Sequence, residues 1–139
     1  MFLAEIKNRK IRFTGDGLGQ DVVETLSKNK MLDENEKFHV DVLKVPHHGS
    51  EMNVSLGFFN TMDAKYYIIS ANGRDENPSL NTLRWIIESG KTNRRPKKII
   101  LTNMTPNVKK VLQEYTQNNH NYDSIVLEKK QDFFTIKLL

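Results

Sequence analysis

Two short clusters of polar side chains in this sequence contain residue types that can bind a metal ion. They are residues 14–17 (TGDG) and residues 47–50 (HHGS). The aspartate and the first histidine are 31 positions apart. Carboxylate and neutral imidazole hold zinc or manganese, and neighbouring glycines let the backbone approach a site closely. A metal ion held by Asp16 and by His47 or His48 could lower the pKa of bound water to about 7 and promote hydrolysis. Two such ions could clamp a phosphodiester.

Each of these residues also has a simpler structural interpretation. Asp16 lies between two glycines, where aspartate commonly makes a turn or caps a helix, and the histidine pair could lie on the surface without a ligand. Ser50 has no evident histidine and acid partners for nucleophilic catalysis, and it more simply caps the next turn. Four further residues of ligand type are expected to be solvated, exposed or capping: His39, Asp41, Asp63 and His120.

Both clusters directly follow predicted β-strands, where sheet proteins place functional loops. Apolar and β-branched runs predict strands at residues 2–6, 11–13, 40–45, 66–70, 99–101, 125–127 and 133–138. Helical spacing and helix-start signals predict helices at residues 20–28, 54–62, 78–90 and 105–118. The alternation indicates one α/β layered domain over residues 1–139. Hairpins predicted at both ends of the chain, the second with a turn at residues 128–132, indicate a mixed sheet with antiparallel edges.

The composition limits the classes of function. Of 139 residues, 37% are hydrophobic and 27% charged, and no apolar run approaches the ~20 residues of a membrane span. The first residues lack the pattern of a signal peptide, so a cytoplasmic protein is expected. The absence of cysteine excludes disulfides, cysteine-ligated zinc and a catalytic thiol.

The formal charge of +4 and the pI near 9.3 favour an anionic partner such as nucleic acid, although charge alone is a weak signal. Five basic residues cluster around one helix-to-strand connection: Lys91, Arg94, Arg95, Lys97 and Lys98. Such a cluster more often forms a solvated loop than a phosphate site.

Three sequence blocks, in this order, resemble a known superfamily. They are residues 13–16 (FTGD), 41–50 (DVLKVPHHGS) and 66–70 (YYIIS). The pattern is similar to the metallo-β-lactamase superfamily, specifically to the branch that contains the hydrolase domain of the ComEC DNA-uptake proteins, and it covers roughly residues 11–87. The resemblance implies the carboxy-terminal half of an αββα sandwich with a mixed sheet. It also implies a parent enzyme that uses zinc or manganese to cleave a phosphodiester or related ester, with nucleic acid as a candidate substrate.

The resemblance assigns roles to the first two clusters. Asp16 resembles the carboxylate that bridges two metal ions and so takes part in catalysis. His47 comes directly off the strand and resembles the last histidine ligand. His48 then becomes a catalytic-site residue that orients a ligand or contacts the substrate. Ser50, at the end of the cluster, is expected to bind substrate.

The loop at residues 72–78 resembles the substrate-side segment of the family. Asn72 and Asn77 are therefore expected to contact substrate. Asn77 stands where the family usually has a histidine before a proline. An amide can hydrogen-bond a phosphate but cannot act as a general acid, so the resemblance implies that turnover is impaired here.

One departure from the family defines the competing hypotheses. The principal metal motif, a histidine-and-aspartate cluster in the amino-terminal half, has no counterpart, and catalytic zinc sites ordinarily have three protein ligands. The leading hypothesis is a fragment of a metal-dependent hydrolase, inactive and weakly metal-binding alone, which an amino-terminal half or a second copy would complete. The alternative is a non-catalytic binding or assembly module that self-associates through its exposed sheet edge. A third hypothesis, a nucleic-acid-binding domain that needs no metal, is supported by charge alone.

Overall fold

The computed structural model of this protein describes residues 2–128 and 133–138 and has one six-stranded sheet with flanking helices. The strands are β1 (Phe2–Ile6), β2 (Arg9–Phe13), β3 (Phe38–Lys44), β4 (Met62–Ile69), β5 (Lys97–Leu101) and β6 (Tyr122–Val126). The helices are α1 (Gly19–Lys28), α2 (Leu56–Thr61), α3 (Leu80–Asn93) and α4 (Pro106–Glu114), and short 3₁₀ turns occupy Pro46–Gly49 and Arg74–Glu76. The predicted α/β architecture with a mixed sheet is confirmed. No helix in the described chain combines the length and apolarity that crossing a membrane requires.

The strands follow one another across the sheet in chain order. β1 and β2 form the predicted antiparallel hairpin, and each later strand pairs in parallel with the one before it. Crossovers between parallel strands are right-handed in nearly all proteins, so four successive crossovers in one direction carry their helices to one face. The helices accordingly pack in a row, α1 on α2, α2 on α3, and α3 on α4.

The predicted carboxy-terminal hairpin is wrong. β6 lies parallel to β5, with Tyr122 opposite Lys97 and Val126 opposite Leu101, and residues 133–138 form no strand. The α4 crossover returns the chain to the same end of the sheet before β6 begins, which makes the pairing parallel. Apolar residues at positions 133–138 do not form a strand without a ladder partner. Residues 129–132 of the predicted turn lie outside the described residues.

The predicted helix starts agree better with the structure than the predicted helix ends. Ser79 and Thr105 cap α3 and α4 through their hydroxyl groups. Gly90 lies inside α3 rather than ending it, and a Cβ added there would lie only 3.2 Å from Cγ of Lys97. Here glycine provides space for a buried side chain and does not terminate the helix.

The two faces of the sheet differ in what covers them. Leu43, Tyr67 and Ile99 are neighbours on one face and belong to a core to which all four helices contribute. The opposite face, which we call the open face, is formed toward the carboxyl ends of the strands by alternate residues that lie outside that core. They include Ile11, Phe13, Val42, Tyr66, Ile68, Ile100 and Ile125. At the amino-terminal ends of β3 and β4, the residues of the same alternation do belong to the core: Phe38, Val40, Met62 and Ala64. The open face has no helix of the described chain on it, but it is partly covered: Val42 and Ile100 are each 3% exposed, and Leu138 lines a cavity there together with Ala4 and Ile11. Phe13, at 38%, is its more exposed part.

A buried ion cluster lies at the amino-terminal end of β4. Asp63 is 3% exposed, so its expected role as a cap or exposed charge is wrong. Its carboxylate accepts hydrogen bonds from Lys97 and, at 3.3 Å, from Nη1 of Arg95. Burial alone would raise the pKa of Asp63, but the hydrogen bonds and charges of Lys97 and Arg95 outweigh burial and hold the pKa below its usual value. His39 is also paired, because its two ring nitrogens lie 3.0 Å from oxygens of Asp63 and Asp33.

The ion cluster accounts for much of the basic segment noted in the sequence. Arg95 and Lys97 both pair with Asp63, and Nζ of Lys98 lies 3.1 Å from Oδ2 of Asp123. Three of the five basic residues are thus partners of carboxylates. This pairing favours the structural interpretation of the segment over a phosphate site.

Candidate functional site

The loops that follow β2 and β3 meet at the carboxyl end of the sheet because their strands are parallel neighbours. The backbone N–H of His47 donates to the carbonyl oxygen of Gly15 over 3.0 Å. The hydroxyl of Thr14, which is buried, donates to the carbonyl oxygen of Lys44 over 2.6 Å. These bonds fix the loop of Asp16 against the loop of the two histidines.

The backbone of the histidine loop is strained. His47 and His48 have φ values of 42° and 57°, and Gly49 follows at 83°. Left-handed conformations at residues other than glycine cost of order 1–3 kcal/mol each and persist only where the surrounding structure enforces them. A Cβ added at Gly49 would lie 2.8 Å from Cβ of Pro78, so this glycine also permits close packing against the loop at residues 72–78.

Hydrogen bonds assign the same tautomer to both histidines. Nδ1 of His48 lies 2.6 Å from the carbonyl oxygen of Ser70, which can only accept, so Nδ1 carries the proton. Nδ1 of His47 lies 2.7 Å from Oδ1 of Asn53 and donates to it. In each neutral ring the lone pair is then on Nε2, the arrangement that metal-binding histidines commonly have.

Asp16 and both histidines line one open cleft of about 380 Å³, which we call the Asp16 cleft. Lys44 and Phe13 also line it. Burial lowers the pKa of Lys44, and the negative charge of Asp16 opposes that shift. The structure thus brings the predicted metal-site residues Asp16, His47 and His48 to one place.

A second cavity of about 470 Å³ lies on the other side of the histidines, and we call it the Arg74 cavity. Asn72 and Asn77, predicted to bind substrate, both line it. Ser50 lines neither cavity in the described chain, and its hydroxyl accepts a hydrogen bond from the backbone N–H of Met52 over 3.3 Å. That contact matches the simpler interpretation of Ser50 as a turn residue.

Four residues near the site were not singled out from the sequence: Lys44, Asn53, Arg74 and Asn103. Asn103 follows β5 as the predicted clusters follow β2 and β3. The rule that functional residues follow the carboxyl ends of strands, which we call the strand-end rule, could therefore have found it. Arg74 lies within the predicted substrate-side loop. The sequence gives no comparable signal for Asn53, because its role depends on a contact with the ring of His47, six residues earlier.

The ligand set for a metal ion is partial. In residues 2–128 and 133–138, no three His, Asp or Glu side chains converge closely enough to form a metal-binding group. Asp16, His47 and His48 therefore share a cleft without converging on a single point. Their chemistry fits zinc or manganese, which accept carboxylate and imidazole ligands.

Comparison of the chain with protein-family models, with curated proteins and with solved structures found no match. We therefore infer function from the residues and their geometry.

Proposed function

We propose that this chain supplies part of the divalent-metal site of a hydrolase of the metallo-β-lactamase kind. One observation carries the proposal: Asp16 shares a cleft with two histidines whose hydrogen bonds place both lone pairs on Nε2. The strained backbone of the histidine loop supports it, because such strain concentrates at functional sites.

The proposed roles follow from position. Asp16 and His47 hold the ion, and zinc or manganese there supplies Lewis-acid chemistry for hydrolysis of a phosphodiester or related ester. His48 lines both cavities, so it is placed to contact a substrate that lies between them. Its Nδ1–H bond to Ser70 holds the ring in that position.

The Arg74 cavity supports an anionic ester as the substrate. Its lining includes Arg74, Asn72, Asn77, Asn103 and Thr102, together with the acidic residue Asp75. Asn103 and Thr102 already donate to the carbonyl oxygen of Ala71. Guanidinium and amide groups donate hydrogen bonds to phosphate oxygens, and arginine is well suited to phosphate because it can donate two bonds at once. Arg74 is thus the residue of this cavity that favours a phosphodiester, and Asp75 is the residue that opposes it.

We further propose that a second polypeptide segment covers the exposed part of the open face, at the stacked rings of Phe2 and Phe13, and adds the remaining ligands. Phe13 and Lys44 lie in one row of the open face and also line the Asp16 cleft, so the two surfaces are continuous. Any segment that packs on the apolar open face at this end reaches the cleft. An amino-terminal half of the fold or a second copy of the chain would meet this requirement.

Metal binding by the purified chain tests the proposal. We expect zinc to bind to the wild type, and Asp16→Ala and His47→Ala each to abolish binding while changing stability little. Asp21→Ala is the matched control, because Asp21 is an exposed carboxylate in the first turn of α1. Isothermal titration with zinc and elemental analysis are the measurements. Equal zinc binding by the wild type and Asp16→Ala, or none by the wild type up to millimolar zinc, would contradict the proposal.

A second candidate function has one observation in its favour. β1 is an edge strand, and Phe2 and Ile6 on it are 59% and 67% exposed. An exposed apolar edge is a template for pairing with another chain, which suits a non-catalytic assembly module. For that function, Ile6→Lys would convert a dimer to a monomer in sedimentation, whereas Met52→Lys, at an 84% exposed site away from the sheet, would not. Asp16→Ala would then have no effect on assembly or on ligand binding.

A further inference from the structure

We infer that Asn53 is a positioning residue that selects the Nδ1–H tautomer of His47 and fixes that ring to the Asp16 loop. Asn53 lies between the histidine loop and α2 and is half-buried. The inference deepens the proposed function and rests on it in one respect only: the selected tautomer is the one that presents Nε2 of His47 to a metal ion.

The hydrogen bonds of the Asn53 side chain determine the orientation of its amide. Nδ2 donates to the carbonyl oxygen of Asp16 over 3.2 Å, and a carbonyl oxygen can only accept. Oδ1 is therefore the atom that faces Nδ1 of His47, at 2.7 Å. Since Oδ1 also can only accept, the proton of the neutral His47 ring must be on Nδ1. A rotation of the amide would break both bonds.

The backbone of Asn53 is anchored as firmly as its side chain. Its N–H donates to the carbonyl oxygen of Ser50 over 3.1 Å, and its own carbonyl accepts from the N–H of Gly19 over 2.7 Å. A Cβ added at Gly19 would lie 3.0 Å from that carbonyl oxygen, so the approach of α1 to Asn53 depends on glycine. All four polar groups of Asn53 are thus engaged, and the residue joins the β2 loop, the histidine loop and the start of α1.

His48 provides an internal reference for the role of Asn53. Its Nδ1–H donates to a backbone carbonyl, that of Ser70, so its tautomer does not depend on any neighbouring side chain. The tautomer of His47, by contrast, depends on a side chain that can be substituted. A change at Asn53 should therefore alter the His47 ring and leave the His48 ring unchanged.

The test is the tautomer of each histidine in the full chain, read from long-range ¹⁵N–¹H NMR spectra of the neutral rings without metal. We expect Nδ1–H at both rings in the wild type, and a shift of His47 alone toward Nε2–H in Asn53→Ala. Asn53→Asp keeps an acceptor for Nδ1–H and should retain the wild-type tautomer. Asn29→Ala, which removes an exposed amide at the end of α1, is the control.

Zinc titration of the same variants separates this inference from the proposed function. We expect Asn53→Ala to bind zinc about 10- to 100-fold more weakly than the wild type, as is typical when the partner of a ligating histidine is removed. An unchanged His47 tautomer in folded Asn53→Ala would overturn the inference, whatever the zinc result. If Asn53→Ala shifts the tautomer but the wild type binds no zinc, the role of Asn53 is supported and the metal function fails.

Discussion

Substitution of the buried carboxylate Asp63 by asparagine should destabilise the protein more than any surface charge substitution. Asp63→Asn keeps the shape of the side chain but leaves Lys97, which is 1% exposed, without its counter-charge. Removing one partner of a buried ion pair typically costs about 3–5 kcal/mol, because the other charge stays buried and uncompensated. Small domains have only about 5–15 kcal/mol of stability in total, so the loss should be large.

The matched control is Asp123→Asn. Asp123 on β6 pairs with Lys98, the neighbour of Lys97 on β5, but the Asp123 and Lys98 side chains are 54% and 37% exposed. An exposed pair is worth about 0–1 kcal/mol, so the control should lose little stability. Adding Lys97→Met to Asp63→Asn removes the buried charge as well, and it should recover much of the loss.

Urea unfolding at neutral pH measures these differences. A lower urea midpoint, with an unchanged dependence of the unfolding free energy on urea concentration, reports a loss of stability. The expected order of stability is wild type and Asp123→Asn, then the double variant, then Asp63→Asn. Losses below about 1 kcal/mol for both single variants would refute the reasoning, because burial would then not distinguish the two ion pairs.

Three further predictions concern the same fold. The pKa of Asp63 is lower in the folded protein than the value of about 3.9 for the unfolded chain. The contribution of Asp63 to stability is therefore complete above pH ~3.9 and is lost as the pH falls through the folded pKa, so the urea midpoints of the wild type and Asp63→Asn should converge in acid. Gly49→Ala should cost at least about 2 kcal/mol, because it combines a left-handed backbone with a clash against Pro78, and crystallography should show the histidine loop displaced. Thr105→Ala should cost about 0.5–2 kcal/mol in urea unfolding, because it removes the hydroxyl that accepts from the N–H of Val108.

Local sequence signals were sufficient for most of the elements. The β1–β2 hairpin follows from two short apolar runs around a polar turn, and the starts of α3 and α4 follow from the caps Ser79 and Thr105. These features depend on residues close in sequence. The strand-end rule also identified Asp16 and the histidines as neighbours, because consecutive parallel strands bring their carboxyl ends together.

Features that depend on distant contacts could not be predicted in this way. Gly90 suggested a helix end, but the glycine makes room for Lys97 from the next strand. Nothing near Asp63 in sequence indicates that it is buried, because its partners Arg95 and Lys97 follow more than 30 positions later. The apolar residues at 133–138 suggested a strand, yet the sheet already ends at β6.

The chain-order arrangement of the strands has a consequence for how the protein folds. Every strand pairs with the strand immediately before it, so no ladder in the described chain joins residues farther apart in sequence than Tyr67 and Ile99. Folding rates rise as the mean sequence separation of contacts falls, and we expect this chain to fold quickly for a largely parallel sheet. During synthesis, which proceeds from the amino terminus, β1, β2 and β3 are available before β6 has been made. The pairing that brings Asp16 to His47 can thus form on a nascent chain, and the carboxy-terminal strands are then added to a site that already exists.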